Sequence, residues 1–409
     1  MILLEVLIVV FIFLGNSIFA LLGWSTIDDT ASFYRSIHPV LYLLILYSIL
    51  KFDVLIKNKF YWKNTLFIVF VIVVFRLLFQ QSITVRLGGN LLIPLLFAFY
   101  ASQLIQDERS RKLCAKSFIV LFVIETLLAI YERFSHTLVF PYTLYNAEDI
   151  NGMIDGDGYF RSNALLGHPL TNALCVSVVF VFVSISNYQK KIKTTLLFLA
   201  FASLMCFNAR FAIMVTFGGY GIHVLLKNRI KLSSIISLLV AGLFVFFLVV
   251  NFNLGDRLLS QGLQSDDSSI LARFDVFEML DYLDYKLIFI GSGLEFVELK
   301  LGMLHIENWI LIMIFDLGLL LTIYYAFMII KLCLLFMKRY SSLDKYYVLG
   351  IFMLIASSNN SLASQSPSIC FIIACCIFIP YVAEAKGARR QFFFNNRITL
   401  KHQIPENKN

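Results

Sequence analysis

Residues 306–336 read IENWILIMIFDLGLLLTIYYAFMIIKLCLLF. The run is about three times as long as a barrel strand and does not alternate apolar with polar residues, so it reads as a helix of membrane-spanning length. Immediately before it lies a polar stretch, residues 253–305, which holds Arg257, Arg273 and a scatter of carboxylates. It ends in Leu304, His305, Ile306, Glu307 and Asn308. A connection this long is uncommon in a compact protein unless it carries a function of its own.

Composition decides the solvent. The chain has 409 residues, of which 59% are hydrophobic and 15% charged, with a mean hydropathy of +0.80. Soluble domains average about 45–50% apolar and about 25% charged. The expected fold is therefore all-α, a polytopic integral membrane helix bundle forming a single transmembrane domain over 1–409. Apolar runs lie near 2–23, 39–56, 64–80, 87–106, 113–134, 166–187, 194–209, 211–227, 232–252, 306–336, 345–358 and 368–383. They give about 12 transmembrane helices, the pair around Arg210 allowing a bent hairpin instead. The first run has no basic head or small-residue cleavage site, so it reads as a retained helix rather than a signal peptide. Cysteines such as Cys175, Cys206, Cys333, Cys370, Cys375 and Cys376 fall inside the runs without a CxxC, as small apolar residues do.

Basic residues fix the expected orientation, because short cytoplasmic loops are enriched in Lys and Arg. They fall in alternate loops: Lys51, Lys57, Lys59 and Lys63; Arg109, Arg111 and Lys112; Lys190, Lys191 and Lys193; Lys227, Arg229 and Lys231; Lys338, Arg339 and Lys345; then the tail. Both termini are expected in the cytoplasm, with the basic tail 384–409 resting on the membrane surface. A first large loop, 135–165, a second, 253–305, and a short one near 359–367 are expected to face outward. The formal charge of +8 is accounted for by this pattern, and no nucleic-acid partner is implied.

The remaining polar residues gather on the outward side. Arg210 stands at the turn between two spans; a guanidinium at the edge of hydrocarbon is a candidate functional group, the alternative being an arginine that snorkels to the headgroups. Arg76, near Gln80 and Gln81, raises the same choice. The first loop closes in GYFRSNALLGHPLTN, residues 158–172, with Pro169 near the start of the next helix. That helix start, with Thr171, Asn172 and upstream Arg161, suits an anion or is an ordinary capped re-entry. In the second loop, residues 269–285 place Ile270, Phe274, Phe277, Leu280 and Leu283 at helical spacing, the pattern of an interfacial helix. Arg273 flanks that stripe, and pairing with Glu278 is its bland alternative. His305 lies at the mouth of the following span, where an imidazole can take a proton.

RSNALLGHPLTNA (161–173), NAR (208–210), LARFDVFEMLDYL (271–283), IGSG (290–293) and HIEN (305–308) together resemble the O-antigen ligase and O-antigen polymerase superfamily of bacterial polysaccharide assembly. The likeness covers roughly residues 160–335; the chain departs from it at Ala209, where a hydroxyl residue often stands. The resemblance implies catalytic His305, Arg210 and Arg273, with Arg161, Asn172, Asn308 and Arg76 as candidate substrate-binding residues. It implies an undecaprenyl-diphosphate-linked glycan as donor and as acceptor, at the periplasmic face of the bacterial inner membrane, with a chain-length regulator protein among the candidate partners. Arginine forks match phosphate oxygens, and His305 would deprotonate the acceptor hydroxyl. The arginines already supply positive charge, so neither metal nor cofactor is expected. The favoured expectation is a polymerase. The alternatives are a ligase acting on lipid A core, a glycosyltransferase using polyprenyl-phosphate sugar with Asp28 and Asp29, and a lipid-sugar flippase.

Overall fold

The computed structural model describes residues 1–24, 35, 37–78, 88–141, 160–227, 308–338, 340–359, 361–363 and 368–383, with isolated positions between 231 and 247 and at 289 and 291. Among these residues the protein is all-helical, without a strand. The first apolar run is divided into α1 (Ile2–Phe11) and α2 (Asn16–Leu21). The break is imposed from elsewhere in the chain: the Gly15 N–H donates to the Leu165 carbonyl at 2.8 Å, and a Cβ on Gly15 would stand 2.0 Å from the Leu166 carbonyl oxygen. Only glycine permits so close an approach. The second run is divided at Lys51 into α3 (Val40–Leu50) and α4 (Phe52–Lys57).

Next come α5 (Lys59–Leu78) and a single π turn, Gly88–Leu92, which leads directly into α6 (Ile93–Leu104). The long α7 (Glu108–Ser135) is opened by Asp107, whose carboxylate accepts the backbone N–H of Arg109 and Ser110; this is an N-cap. Beyond the first loop lie α8 (Pro169–Ile185), α9 (Lys190–Phe207) and α10 (Arg210–Lys227). Asn208, at φ +53, makes the turn from α9 to α10, so the region around Arg210 is a hairpin of two helices. The last described elements are α11 (Trp309–Phe336), α12 (Ser342–Ser357) and α13 (Ser368–Ala383).

The bundle is centred on α8 and α13. Almost every residue of both is buried, as expected for helices that are apolar all round. Helix α8 packs on α9, α10, α12 and α13, while α13 also packs on α6, α7 and α11. The periphery is apolar as well: Phe67 and Phe70 on α5, Val120 and Leu127 on α7, and Ile323 and Phe327 on α11 are exposed. An outer surface of this kind is foreign to soluble monomers.

Among the described residues, two helices, Glu108–Ser135 and Leu317–Phe336, are long and apolar enough to cross a membrane. The runs near 2–23 and 39–56 are divided, at Gly15 and Lys51, and α11 is kinked at Gly318 (φ +79). A helix of ten residues covers about 15 Å, half the roughly 30 Å hydrocarbon core, so divided runs cross such a layer only as tandem pieces.

Long-range contacts sort by end. Gly15 meets Leu165, the Ser162 N–H reaches the Cys206 carbonyl, and the Asn90 amide donates to the Ala363 carbonyl at 2.7 Å. Ser162, Leu165 and Ala363 lie in loops expected outside, while Gly15, Asn90 and Cys206 lie within expected spans. At the other end, Lys227 and His223 meet Asp344, and Arg111 lies over the Tyr381 ring.

Candidate functional site

At the first of these ends the chain does something unusual for an apolar bundle. Residues 160–168 run as a non-helical strap along one face of α7, buried at every position except Arg161 and His168, which are half-buried. Irregular backbone among packed helices must have each polar group satisfied within the protein. The strap meets that demand mainly through α7, by the side chains of Glu125, Glu132 and Arg133 and the carbonyl of Ala129, positions that share one helical face.

Glu132 accepts the backbone N–H of Asn163 at 2.7 Å and of Ala164 at 2.9 Å on Oε2, and that of Val139 at 2.9 Å on Oε1. Glu125 accepts the Leu165 N–H at 2.8 Å. Arg133 donates to the Phe160 carbonyl, and the Ser162 hydroxyl donates to the Ala129 carbonyl at 2.7 Å. From the opposite side, the Ser17 hydroxyl donates to the Gly167 carbonyl at 3.3 Å. The Asn172 amide donates to the Asn163 carbonyl. Glu125 and Glu132 are 1% and 0% exposed. Burying a carboxylate is costly without fixed donors; the strap and Val139 supply them, except at Glu125 Oε1, which has no partner among the described residues. Ala164 sits at φ +41, a strained conformation for a residue with a Cβ.

Four of the sequence-derived candidates come to this end. Arg161 rides on the strap. Asn172 is fully buried in the first turns of α8, where it braces the strap, and its Oδ1 has no partner among the described residues. Arg210 opens α10, half-buried and with a polar or ring partner of its own. Asn308 caps α11, its Oδ1 accepting the N–H of Ile310 and Leu311 at 3.0 and 3.2 Å. The segment around 359–363 links the starts of α8 and α11: Ser361 and Thr171 share a hydroxyl contact at 3.1 Å, and the Trp309 N–H donates to the Asn359 carbonyl at 3.1 Å. Arg273, His305, Arg257, the interfacial helix over 269–285, the tail over 384–409, and Asp28 and Asp29 lie outside the described residues, as does the side chain of Arg76.

In comparisons with known proteins the chain matches no family model, no curated protein and no solved structure. The site therefore has to be argued from its own geometry. Sequence reasoning passed over Glu125, Glu132 and Arg133, although they were open to it: three ionisable side chains within the 113–134 run are candidate functional groups by position alone. Asn90 and Ser361 left no such signal.

The opposite end is built differently. The His223 Nε2 and Asp344 Oδ1 stand 2.9 Å apart, Lys227 approaches the same oxygen at 3.4 Å, and the Ser341 hydroxyl donates to Asp344 Oδ2 at 2.7 Å. The His223 ring stacks on Tyr347 at 4.3 Å. Lys193 donates to the carbonyls of Ser184 and Ser186 at the end of α8, at 2.6 and 3.0 Å, where a cation suits the helix dipole. The Ser110 hydroxyl beside Asp107, with the N–H groups it caps, holds that carboxyl below the ordinary carboxylate range. All seven cysteines are buried and free.

Proposed function

We propose that this chain is a polytopic glycosyltransferase of the bacterial inner membrane, with about twelve spans and both termini in the cytoplasm. It polymerises undecaprenyl-diphosphate-linked oligosaccharide repeat units into surface polysaccharide at the periplasmic face. The observation that carries the reading is the buried strap: residues 160–168, held by Glu125, Glu132 and Asn172, bring Arg161 to the end of the bundle where Arg210 opens α10 and Asn308 caps α11. The apolar exterior supports the membrane setting.

In this reading the arginines take the diphosphate that leaves as the anomeric bond breaks. Charge stabilisation at a leaving group is usually the largest catalytic contribution, and a guanidinium fork fits two phosphate oxygens at once. His305 takes the proton of the acceptor hydroxyl as it attacks the anomeric carbon. No metal is needed in this scheme.

One observation favours a transporter instead. Glu125 lies ten residues before the end of α7, about 15 Å inside at 1.5 Å per residue, and charged groups near mid-membrane are common in transporters. Its Oε2 is engaged by the Leu165 backbone, which makes it a structural anchor in our reading.

The test is polysaccharide chain length on a gel, with membrane protein level checked alongside. We predict that Arg273→Lys damages activity nearly as much as Arg273→Ala, because a point charge does not reproduce two-pronged contact. The expected loss is on the order of a hundredfold or more. His305→Ala should be similarly severe, at about a hundred- to ten-thousandfold. Changes at Arg257 and Lys300 should cost little. Normal long chains from both His305→Ala and Arg273→Ala, at normal protein level, would overturn the reading.

A further inference from the structure

We propose that Glu132, backed by Glu125, is the positioning residue of the strap: it pins residues 163–165 against α7 and so fixes where Arg161 and His168 stand. The inference rests on the functional reading above for the purpose of the strap, but its geometry stands apart from that reading.

Three observations converge on Glu132. It uses both carboxylate oxygens on backbone N–H groups, one at Val139 and two at Asn163 and Ala164, so a single side chain ties the start of the first loop to its end. One of the residues it holds, Ala164, is kept at φ +41, a conformation that survives only where surroundings over-determine it. Finally, the strap hides every residue but two, and those two are Arg161 and His168. A segment whose backbone N–H groups from 162 to 165 all have acceptors, and whose only half-buried residues are an arginine and a histidine, holds those two in fixed places. Glu125 extends the grip to Leu165, and Gly15 closes on the Leu165 carbonyl from the far side.

The chemistry that such a pair would meet is anionic, matching the diphosphate of the proposed donor: the arginine offers a planar fork, and an imidazole donates or accepts according to its protonation. Glu132 touches neither donor nor acceptor in this account. It sets the place of the groups that do, and a loose strap would leave them misplaced by distances that matter to rate.

Cysteine labelling in intact cells tests the idea on the full chain. All seven native cysteines are buried, so the background for a membrane-impermeant maleimide is low. Ser162, 0% exposed, is replaced by Cys as a reporter within the strap. Adding Glu132→Ala should raise labelling of that reporter by about tenfold or more, since three amide donors lose their acceptor. Glu132→Ala without the reporter should stay unlabelled, which separates release of the strap from unfolding. Should the native cysteines label as well, the decision passes to Glu132→Gln, which keeps one carbonyl oxygen; a smaller rise at the reporter supports the proposal and no rise overturns it.

Chain length read on the same cells separates the two ideas. Unchanged labelling with Glu132→Ala and Glu132→Gln overturns the positioning role and leaves the functional reading standing. A released strap with polysaccharide of normal length overturns it too, because the strap then serves no site. Normal chain length from Arg161→Ala, with the reporter still protected, removes Arg161 from the functional reading and leaves the hold of Glu132 on the strap intact.

Discussion

Two pairs of carboxylates, one at each end of the bundle, are held in opposite ways, while a fifth carboxylate, Glu5, is buried at the second end. At the strap end, Glu125 and Glu132 are stripped of water and answered by backbone N–H groups from a segment with no helix of its own. At the other end, Asp107 and Asp344 stay near the surface and are answered by short polar side chains and helix-end amides, with Lys227 half exposed. Exposed ion pairs contribute little and tolerate exchange. A buried carboxylate is costly, and loss of its partners leaves an uncompensated charge or orphaned donors. The contrast separates a pair of carboxylates that caps and pairs at helix ends from a pair that places a buried segment.

Substitutions should sharpen that contrast, in order of expected effect. We predict the largest loss for Glu132→Ala, which orphans three amide groups at about 1–3 kcal/mol each; the thermal midpoint of the protein in detergent should fall steeply. Gly15→Ala should follow, at about 1–3 kcal/mol for forced overpacking, because its Cβ would collide with the Leu166 carbonyl. A neutral result there would mean that the junction between α1 and the strap yields freely. Asp107→Ala removes an N-cap and should cost about 1 kcal/mol without changing polysaccharide length.

The Asp107 contribution has a definite sign with pH. Its carboxyl is held below the ordinary range, so its contribution is present above about pH 4 and fades as pH falls through the lowered value. Smallest of all should be Lys227→Ala, within about 0.5 kcal/mol, since this lysine is 52% exposed. A loss from Lys227→Ala as large as that from Glu132→Ala would erase the distinction between the ends.

Much of the helical framework was legible from hydropathy. The run 113–134 became α7 (Glu108–Ser135), lengthened at its start to the Asp107 cap, and the run 368–383 became α13 (Ser368–Ala383). The divisions were harder to see, because they follow from contacts across the chain: Gly15 breaks the first run where Leu166 packs against it. The strap was half legible. Its sequence was singled out for Gly167 and Pro169, yet its partners were not, since Glu132 meets Asn163 and Ala164 from 31 and 32 residues away and no local spacing encodes such a pairing. Asn172 was expected at an anion-binding helix start; it is buried with its amide on the Asn163 carbonyl, a role visible only once the strap is folded.

The claim that the strap end is the working, outward end rests on sidedness, and one labelling experiment reads it directly. Thr137 and Asn187 are both exposed and lie at opposite ends of the bundle. With the native cysteines buried, Thr137→Cys and Asn187→Cys can each be offered a membrane-impermeant maleimide in intact cells, then again after the cells are opened. The account predicts labelling at residue 137 in intact cells and at residue 187 only after opening. Labelling of residue 187 in intact cells, with residue 137 protected until the membrane is broken, would place the strap in the cytoplasm and contradict the account.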